Sequence, residues 1–355
     1  TDFIIPKPIT KKIHEVADHQ IYGYTRWNHH DFKSSITTYF KRRFDTDMEE
    51  DWILYSPSVM YSVSLLIRLL SQPHDKVLTM NPMYDAFINV IKENDRELVS
   101  HHLIKEEGTF KIDFDVFEKQ AQESALLLLC SPHNPTGRIW SDEEMHRMIE
   151  ICKKYQVKII SDEIHMDIRI KDAKHHPLMK YYDEYKEIFT ASSSSKTLNT
   201  PGLIGSYVII PDEKIRDEFL GVTRRRDFLN SASIFGMYAT MIGYTECDDY
   251  IDQLNEYIRG NMELVENFIR DELKDFKFQR PEATYLAWID ARDVPFTSDE
   301  IQDALVNVGG VAIMKGEIYG ENGAKYLRMN LGCPRSKIEE GLKRFKKAMD
   351  YLYNK

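Results

Sequence analysis

The sequence predicts an α/β protein in which a large, mostly parallel, doubly wound sheet is followed by a smaller α+β domain. Strand-like and helix-like segments alternate through the central part of the chain. One of them, "ALLLLC" at 125–130, is continuously apolar, as expected of a parallel strand buried on both faces. After about residue 245 this alternation gives way to one long helical pattern and several short strands. The 355 residues, 42% of them hydrophobic, are enough for one large domain or two.

The central elements follow one another as strand, helix and strand. "DKVLTM" (75–80) predicts a strand, and "YDAFINVIKEN" (84–94) predicts an amphipathic helix. After the strand at 125–130, "SDEEMHRMIEICKKY" begins with the capping-box pair Ser141 and Glu144. The next strands are "VKIIS" (157–161) and "YKEIFTA" (185–191). Repeated strand–helix–strand units with short connections indicate a doubly wound sheet.

The C-terminal part predicts a second, smaller sheet with helices. A long amphipathic helix is expected in "YIDQLNEYIRGNMELVENFIRDEL", three strands in "ATYLAWID", "GVAIMKG" and "YLRMNLG", and a closing helix in "SKIEEGLKRFKKAMDYLYN". We therefore divide the chain into an N-terminal segment (1–35), a large domain (36–245) and a small C-terminal domain (246–355). No Pro/Gly/Ser linker marks the second boundary, so a long helix is expected to join the two domains.

Composition argues against several classes of protein. The net charge of −10 gives no support for binding nucleic acid or anionic membranes, and the basic run "TRRRD" is interpreted as a solvated helix face. No apolar run approaches the ~20 residues of a membrane span, and "TDFIIPKPITKK" lacks the apolar stretch of a signal peptide. A soluble, cytoplasmic protein is expected.

Neither cysteines nor histidines suggest a metal site. Cys130, Cys152, Cys247 and Cys333 are far apart in the sequence, so reduced core residues are expected. The histidine doublets at 29–30, 101–102 and 175–176 lack the i, i+4 spacing of helical metal ligands and are predicted to lie at the surface.

Three polar segments follow predicted strands: "SPHNPTG", "SDEIH" and "SSSSKTLNTPG". The carboxyl ends of strands are where open α/β sheets bind ligands. Asn134 can donate to an oxygen, Asp162 can pair with a cation, and Lys196 can form a Schiff base. Taken singly, these residues are a turn former, a helix cap and a surface amine. Together they are the groups that pyridoxal phosphate (PLP) needs for its phenolic oxygen, its pyridine nitrogen and its aldehyde.

A helix start predicts a cradle for the phosphate. "SPSVM" (56–60) begins a predicted helix, so the amides of Ser58 and Val59 would point from its positive end towards an anion. Ser193 and Ser195, on either side of Ser194, would add hydroxyl donors.

The motifs "SPHNPTG", "SDEIH", "SSSSK" and "YLRMNLG" resemble those of fold-type-I PLP enzymes of the class I/II aminotransferase superfamily, over essentially the whole chain. Within it, "YGYTRW", "PSVMYSVSLLIR", "NPMYDAF", "SDEIHMD" and "LGCPRS" look like the cystathionine β-lyase/cystalysin branch, the MalY/PatB type of C–S lyase. The resemblance implies the PLP-dependent transferase fold and a homodimer.

The resemblance also implies site roles. Lys196 would carry the cofactor, with Asp162 at the pyridine nitrogen and Asn134 at the phenolic oxygen. Tyr84 would stack on the ring, although alone it would be interpreted as a core aromatic residue. His165 replaces the tyrosine of many aminotransferases, which leaves its contact with the phenolic oxygen open.

The remaining roles concern substrate, phosphate and dimer. Arg328 would bind the substrate carboxylate, against the alternative of a surface arginine. Tyr24 would reach into the partner's site, against the alternative of an ordinary interface or core tyrosine. Ile204 stands where many aminotransferases carry a phosphate-binding arginine, so the cradle would depend on amides, hydroxyls and the partner.

The reaction implied is α,β-elimination of L-cystathionine or another S-substituted cysteine, or of cysteine itself, to pyruvate, ammonia and a thiol. An aminotransferase would use the same residues and is the main alternative. An alternative of another class is a regulatory binding protein that retains the cofactor site, because one member type of the branch also represses a sugar regulon through a protein partner.

Overall fold

The structure is a computed structural model that describes residues 1–26, 28–229 and 231–355. Its large lobe is built on a seven-stranded sheet in the order β1-β9-β8-β7-β6-β2-β3. The strands of this sheet are β1 (Ile53–Ser56), β2 (Lys76–Asn81), β3 (Glu97–His102), β6 (Leu126–Cys130), β7 (Lys158–Asp162), β8 (Ile188–Ser192) and β9 (Ser206–Ile209). Pairing is parallel from β3 through β8, and β9 runs antiparallel to both of its neighbours.

Helices cover this sheet because their apolar faces need a partner. The helices that precede the small lobe are α1 (Lys7–Asp18), α2 (His30–Phe44), α3 (Val59–Leu70), α4 (Asp85–Lys92), α5 (Phe114–Ala121), α6 (Asp142–Tyr155), α7 (Ser195–Leu198), α8 (Glu213–Leu220) and α9 (Ile234–Glu246). The predicted capping box is present at α6, where the amide of Glu144 donates to Ser141 Oγ and the amide of Ser141 donates to the Glu144 carboxylate.

The small lobe is an antiparallel sheet in the order β10-β12-β11, packed with three helices. Its elements are α10 (Asp248–Glu272), β10 (Leu286–Asp290), α11 (Ser298–Ala304), β11 (Met314–Lys315), β12 (Tyr326–Asn330) and α12 (Arg335–Tyr353). A short hairpin of β4 (Ile104–Glu106) and β5 (Thr109–Lys111) projects from the large lobe.

The fold class expected from the sequence is confirmed, with local differences. The segment that contains Lys196, predicted as a loop, forms the single helical turn α7. The strand predicted at 310–316 shrinks to β11, because Gly310 has a left-handed φ of 70° and ends the preceding π-helical turn. The sequence patterns did not predict β1, β3, β9 or the β4–β5 hairpin.

The buried hydrophobic residues form two clusters, one centred on each lobe. The first is centred on the seven-stranded sheet and also includes Ile251 of α10, Trp288 of β10 and Tyr326 of β12. The second begins with Ile168 and Ile170 and continues through Leu254 to the end of α12. The division at 35/36 and 245/246 stays a prediction. α2 crosses the first limit, and the second lies within α9, just before α10 begins.

Two of the three histidine doublets do not lie wholly at the surface, which corrects that prediction. His101 is buried while His102 is exposed, because successive residues of β3 point to opposite faces. His175 is also buried, with its Nε2 atom 3.5 Å from the Glu163 carboxylate. Among the described residues, no three or more His, Cys, Asp or Glu side chains come together in a way that could hold a metal ion.

In the described part of the chain, no helix is both long enough and apolar enough to cross a membrane. The four cysteines are free thiols, and Cys130, Cys152 and Cys247 are buried as expected, while Cys333 is half-buried.

Candidate active site

A pocket of about 340 Å³ opens at the carboxyl ends of the central strands. Parallel pairing sets Cys130 of β6 beside Asp162 of β7, and Asp162 beside Ala191 of β8. The three segments that follow these strands therefore meet at one edge of the sheet. The predicted site residues that line the pocket are Ser58, Val59, Tyr84, Asn134, Asp162, His165, Ser195, Lys196 and Arg328.

Asp162 is a buried carboxylate at the base of this pocket, with 4% of its surface exposed. Its Oδ1 atom accepts a hydrogen bond from the amide of Ile164 at 3.1 Å. Burial raises the pKa of Asp162 to about 7, since the Ile164 amide and the charge of Lys196 only partly offset the loss of hydration. A cation placed beside this carboxylate would relieve that cost. The site therefore fits the protonated ring nitrogen of PLP.

Asn134 and Arg328 join the two lobes across the pocket. Nη1 of Arg328 donates to Oδ1 of Asn134 at 3.2 Å. This bond leaves the amide nitrogen of Asn134 free to donate to another oxygen, as a contact with a phenolic oxygen requires. The guanidinium of Arg328 also lies over the ring of Tyr319, 4.6 Å from its centroid, and this cation–π contact helps to hold the side chain in place. Arg328 thus lines the pocket with N–H groups of the kind that a bidentate contact with a carboxylate would use.

His165 is present in the pocket as a neutral imidazole. Burial lowers its pKa to about 3, and the nearby charges of Lys196 and Arg328 add to the effect. Its Nδ1 atom is buried and has no hydrogen-bond partner among the described residues. The ring packs edge-on against Tyr285 with centroids 5.6 Å apart. A neutral ring with one unpaired nitrogen can hydrogen-bond a cofactor oxygen without adding a charge.

Both elements of the predicted phosphate cradle, α3 and α7, contribute residues to the pocket. Ser58 is the N-cap of α3, with its hydroxyl accepting from the amide of Tyr61 at 3.1 Å, so the positive end of a 12-residue helix points into the pocket. Ser195 lines the pocket, but Ser193 does not. The Ser193 hydroxyl lies 2.5 Å from the carbonyl oxygen of Gly205 and 2.9 Å from Ser195 Oγ. Ser193 therefore orients Ser195 and does not itself reach the pocket.

Ile204 lines the pocket and is 49% exposed. Its aliphatic side chain cannot donate a hydrogen bond to a phosphate, as an arginine at this position would. Tyr24 lies outside the pocket and is 93% exposed in the single chain. The amide of the next residue, Thr25, donates to Ser231 Oγ at 2.9 Å, which ties this segment to the chain ahead of α9. Trp27, the last residue of the "YGYTRW" motif, lies outside the described residues.

Several pocket residues were not predicted. Asn330 lies two residues after Arg328 on β12, so strand alternation was a signal that both share a face. Tyr285 directly precedes β10, Leu286 is its first residue, and Met60 lies in the first turn of α3. No local signal distinguishes these three from core residues, because only the tertiary fold brings them to the pocket.

The two-lobe fold and the pocket at the strand ends, with its lysine, aspartate and arginine, define a PLP-dependent protein of fold type I. The chain belongs to the aminotransferase class I and II family, whose model matches residues 2–345.

Among its relatives is protein MalY of Escherichia coli (strain K12), 34% identical over 96% of this chain and 87% of that protein. Cystathionine β-lyase PatB of Bacillus subtilis (strain 168) is 32% identical over 98% of this chain and 90% of that protein. The crystal structure of cystalysin from Treponema denticola, which contains a pyridoxal 5'-phosphate cofactor, superposes with a TM-score of 0.93. It is 29% identical over 99% of this chain and 89% of the other. These relatives confirm the branch indicated by the sequence motifs.

Proposed function

We propose that the protein is a PLP-dependent C–S β-lyase. It converts L-cystathionine or another S-substituted cysteine, with water, into pyruvate, ammonia and a thiol. The observation that carries this proposal is the meeting of Lys196, Asp162 and Arg328 in one pocket. The relatedness to PatB, which is named a cystathionine β-lyase, favours elimination over other reactions of the family.

Each residue has a distinct task in this reaction. Bound PLP supplies an electron sink for the negative charge that develops at Cα when its proton leaves. Asp162 holds the ring nitrogen in its protonated form, and Asn134 donates to the phenolic oxygen. Arg328 binds the substrate α-carboxylate and thereby fixes the direction of the Cα–H bond. Lys196 would hold the cofactor at its aldehyde, and its amine is the general base placed to remove the Cα proton.

The N-terminus of α3 and the hydroxyl of Ser195 would hold the phosphate, and Tyr84 would pack on the ring. We assign cofactor binding to residues 36–245 and carboxylate binding to 246–355. The exposed apolar residues Ile21, Tyr22 and Tyr24 support a homodimer in which Tyr24 of one copy completes the site of the other.

The test is an assay with L-cystathionine and no keto-acid acceptor. Sustained release of pyruvate and thiol in equal amounts supports the lyase. A single turnover that converts the cofactor to its amine form without continued pyruvate release would indicate an aminotransferase. A purified protein that shows no visible absorbance band, and gains none when PLP is added, would contradict the cofactor assignment itself.

A further inference from the structure

The turn that carries Lys196 is too short to hold its own shape. α7 has four residues, and its N-cap, Ser194, makes no side-chain capping bond. A single helical turn fixes many dihedral angles for very few hydrogen bonds, so it is unstable in isolation. The orientation of Lys196 must therefore be set by contacts between α7 and the surrounding protein.

One of these contacts ends on a buried carboxylate. Thr197, the neighbour of Lys196, donates from Oγ1 to Oδ2 of Asp167 at 2.9 Å. The other oxygen of the same carboxylate, Oδ1, accepts from the hydroxyl of Tyr39 at 2.6 Å. Asp167 is 2% exposed, and burial raises its pKa while these two hydrogen bonds oppose the rise. Because the carboxylate is buried, water could not take the place of either donor if its hydroxyl were removed.

Asp167 itself is firmly placed. It lies five residues after Asp162, on the segment that also carries His165. Its carbonyl oxygen accepts from Nδ2 of Asn255 on α10 at 2.9 Å. The amide of Ile168 donates to the carbonyl of His165 at 3.1 Å, which closes a turn around Asp167. The bond from Thr197 therefore connects the lysine turn to the segment that holds Asp162 and His165.

We propose that Asp167 is a positioning residue that fixes Lys196 relative to Asp162 by holding Thr197. The inference rests on the proposed function, because it concerns how the lysine is aimed at the cofactor aldehyde. Tyr39 donates to the other oxygen of this carboxylate but is not on the lysine turn and does not line the pocket. Asp167 touches neither cofactor nor substrate in this role.

The two donors offer a matched pair of variants. Thr197→Val and Tyr39→Phe each remove one hydroxyl from the same carboxylate, yet only Thr197 is on the lysine turn. Both should lower the melting temperature of the apo-protein. Only Thr197→Val should change the pH titration of the visible absorbance of the holoenzyme, slow the capture of PLP by apo-protein, and lower kcat. A loss of kcat on the order of 10²-fold is expected for a small misplacement of a catalytic group.

Thr197→Ser, which restores the hydroxyl, should recover the absorbance titration and most of kcat. The inference is overturned if Thr197→Val and Tyr39→Phe behave alike in the absorbance titration and in kcat, or if neither differs from the parent. A parent protein that forms no visible band with PLP would instead refute the proposed function, so the two failures are distinguishable.

Discussion

Asp162 combines a catalytic task with a cost to the stability of the protein. Its pKa is raised from 3.8 to about 7 by burial, so between these values the folded chain binds a proton that the unfolded chain has lost. Stability of the apo-protein should therefore fall as pH rises from about 4 to 7, and the full cost should be present above pH 7.

Asp162→Asn should remove this cost. The variant apo-protein is expected to be more stable than the parent at pH 8, by up to a few kcal/mol, since each unit of pKa shift corresponds to about 1.4 kcal/mol. The same variant should bind PLP but lose β-elimination, because an amide cannot retain the ring nitrogen's proton. Urea unfolding of both apo-proteins at pH 5 and pH 8 measures the effect. Equal stability differences at the two pH values would contradict the assignment of the titration to Asp162.

Arg328 allows substrate binding to be separated from cofactor binding. Arg328→Lys retains the charge but loses the planar fork that fixes both carboxylate oxygens. We expect kcat/KM for cystathionine to fall by about 10²-fold, roughly 2.7 kcal/mol of transition-state binding, while the visible absorbance of the holoenzyme persists.

The control for Arg328 is an S-substituted cysteamine, which lacks the carboxylate. Its affinity, measured by the change in visible absorbance on binding, should differ little between parent and variant. If both ligands were weakened equally, Arg328 would be supporting the cofactor or the fold through Asn134 and would not be reading the carboxylate.

The loop after β6 shows how a single glycine lets the lobes approach each other. Gly137, in the "NPTG" motif, has a φ of 68°, and a Cβ atom there would lie 2.4 Å from Pro281 Cβ and 2.6 Å from the carbonyl of Ala283. The amide of Ala283 donates to the carbonyl of Gly137 at 2.8 Å. This close packing places the Asn134 loop directly against the small lobe.

Gly137→Ala should therefore cost more stability than the left-handed backbone alone explains. Gly310→Ala is the matched control, because Gly310 has a φ of 70° and its Cβ would meet only Arg344 Nη1 at 3.6 Å. The control should lose about 1–2 kcal/mol of unfolding free energy, the cost of a side chain in this conformation. Gly137→Ala should lose clearly more, together with activity. Similar losses in denaturant unfolding of the two variants would refute the packing argument.

Features encoded in a few neighbouring residues were predictable from the sequence. Asn134 follows the apolar strand β6, Asp162 ends the apolar strand β7, and the capping box of α6 is contained in four consecutive residues. The bond between Thr197 and Asp167 spans 30 positions, and no periodicity connects the two. Tyr285 reaches the pocket only because β10 pairs with β12. His101 and His102 were predicted together as surface residues. Both lie on β3, where successive side chains point to opposite faces of the sheet, so only His102 is exposed.

At the level of the assembly, the proposed homodimer makes a prediction about mixtures of inactive variants. Lys196→Ala should abolish turnover, and Tyr24→Ala should impair it if Tyr24 completes the partner's site. In a mixed dimer, one site would combine an intact Lys196 with an intact Tyr24 from the other chain. Refolding the two variants together should therefore restore activity. Each mixed dimer would contain one complete site, half the number in a parent dimer. Activity no greater than the sum of the separate variants would contradict sharing of the site.

The path of α10 has a consequence for how the molecule comes apart. Within four residues this helix passes from Ile251, in the core of the large lobe, to Leu254, in the core of the small lobe. Ile168 and Ile170, from the chain between β7 and β8, complete the small-lobe core from the other side. Neither lobe can unfold without exposing apolar residues of the other lobe's core to water. Heating should therefore produce one cooperative calorimetric transition, and a fragment cut out at residue 246 would leave its core open to water.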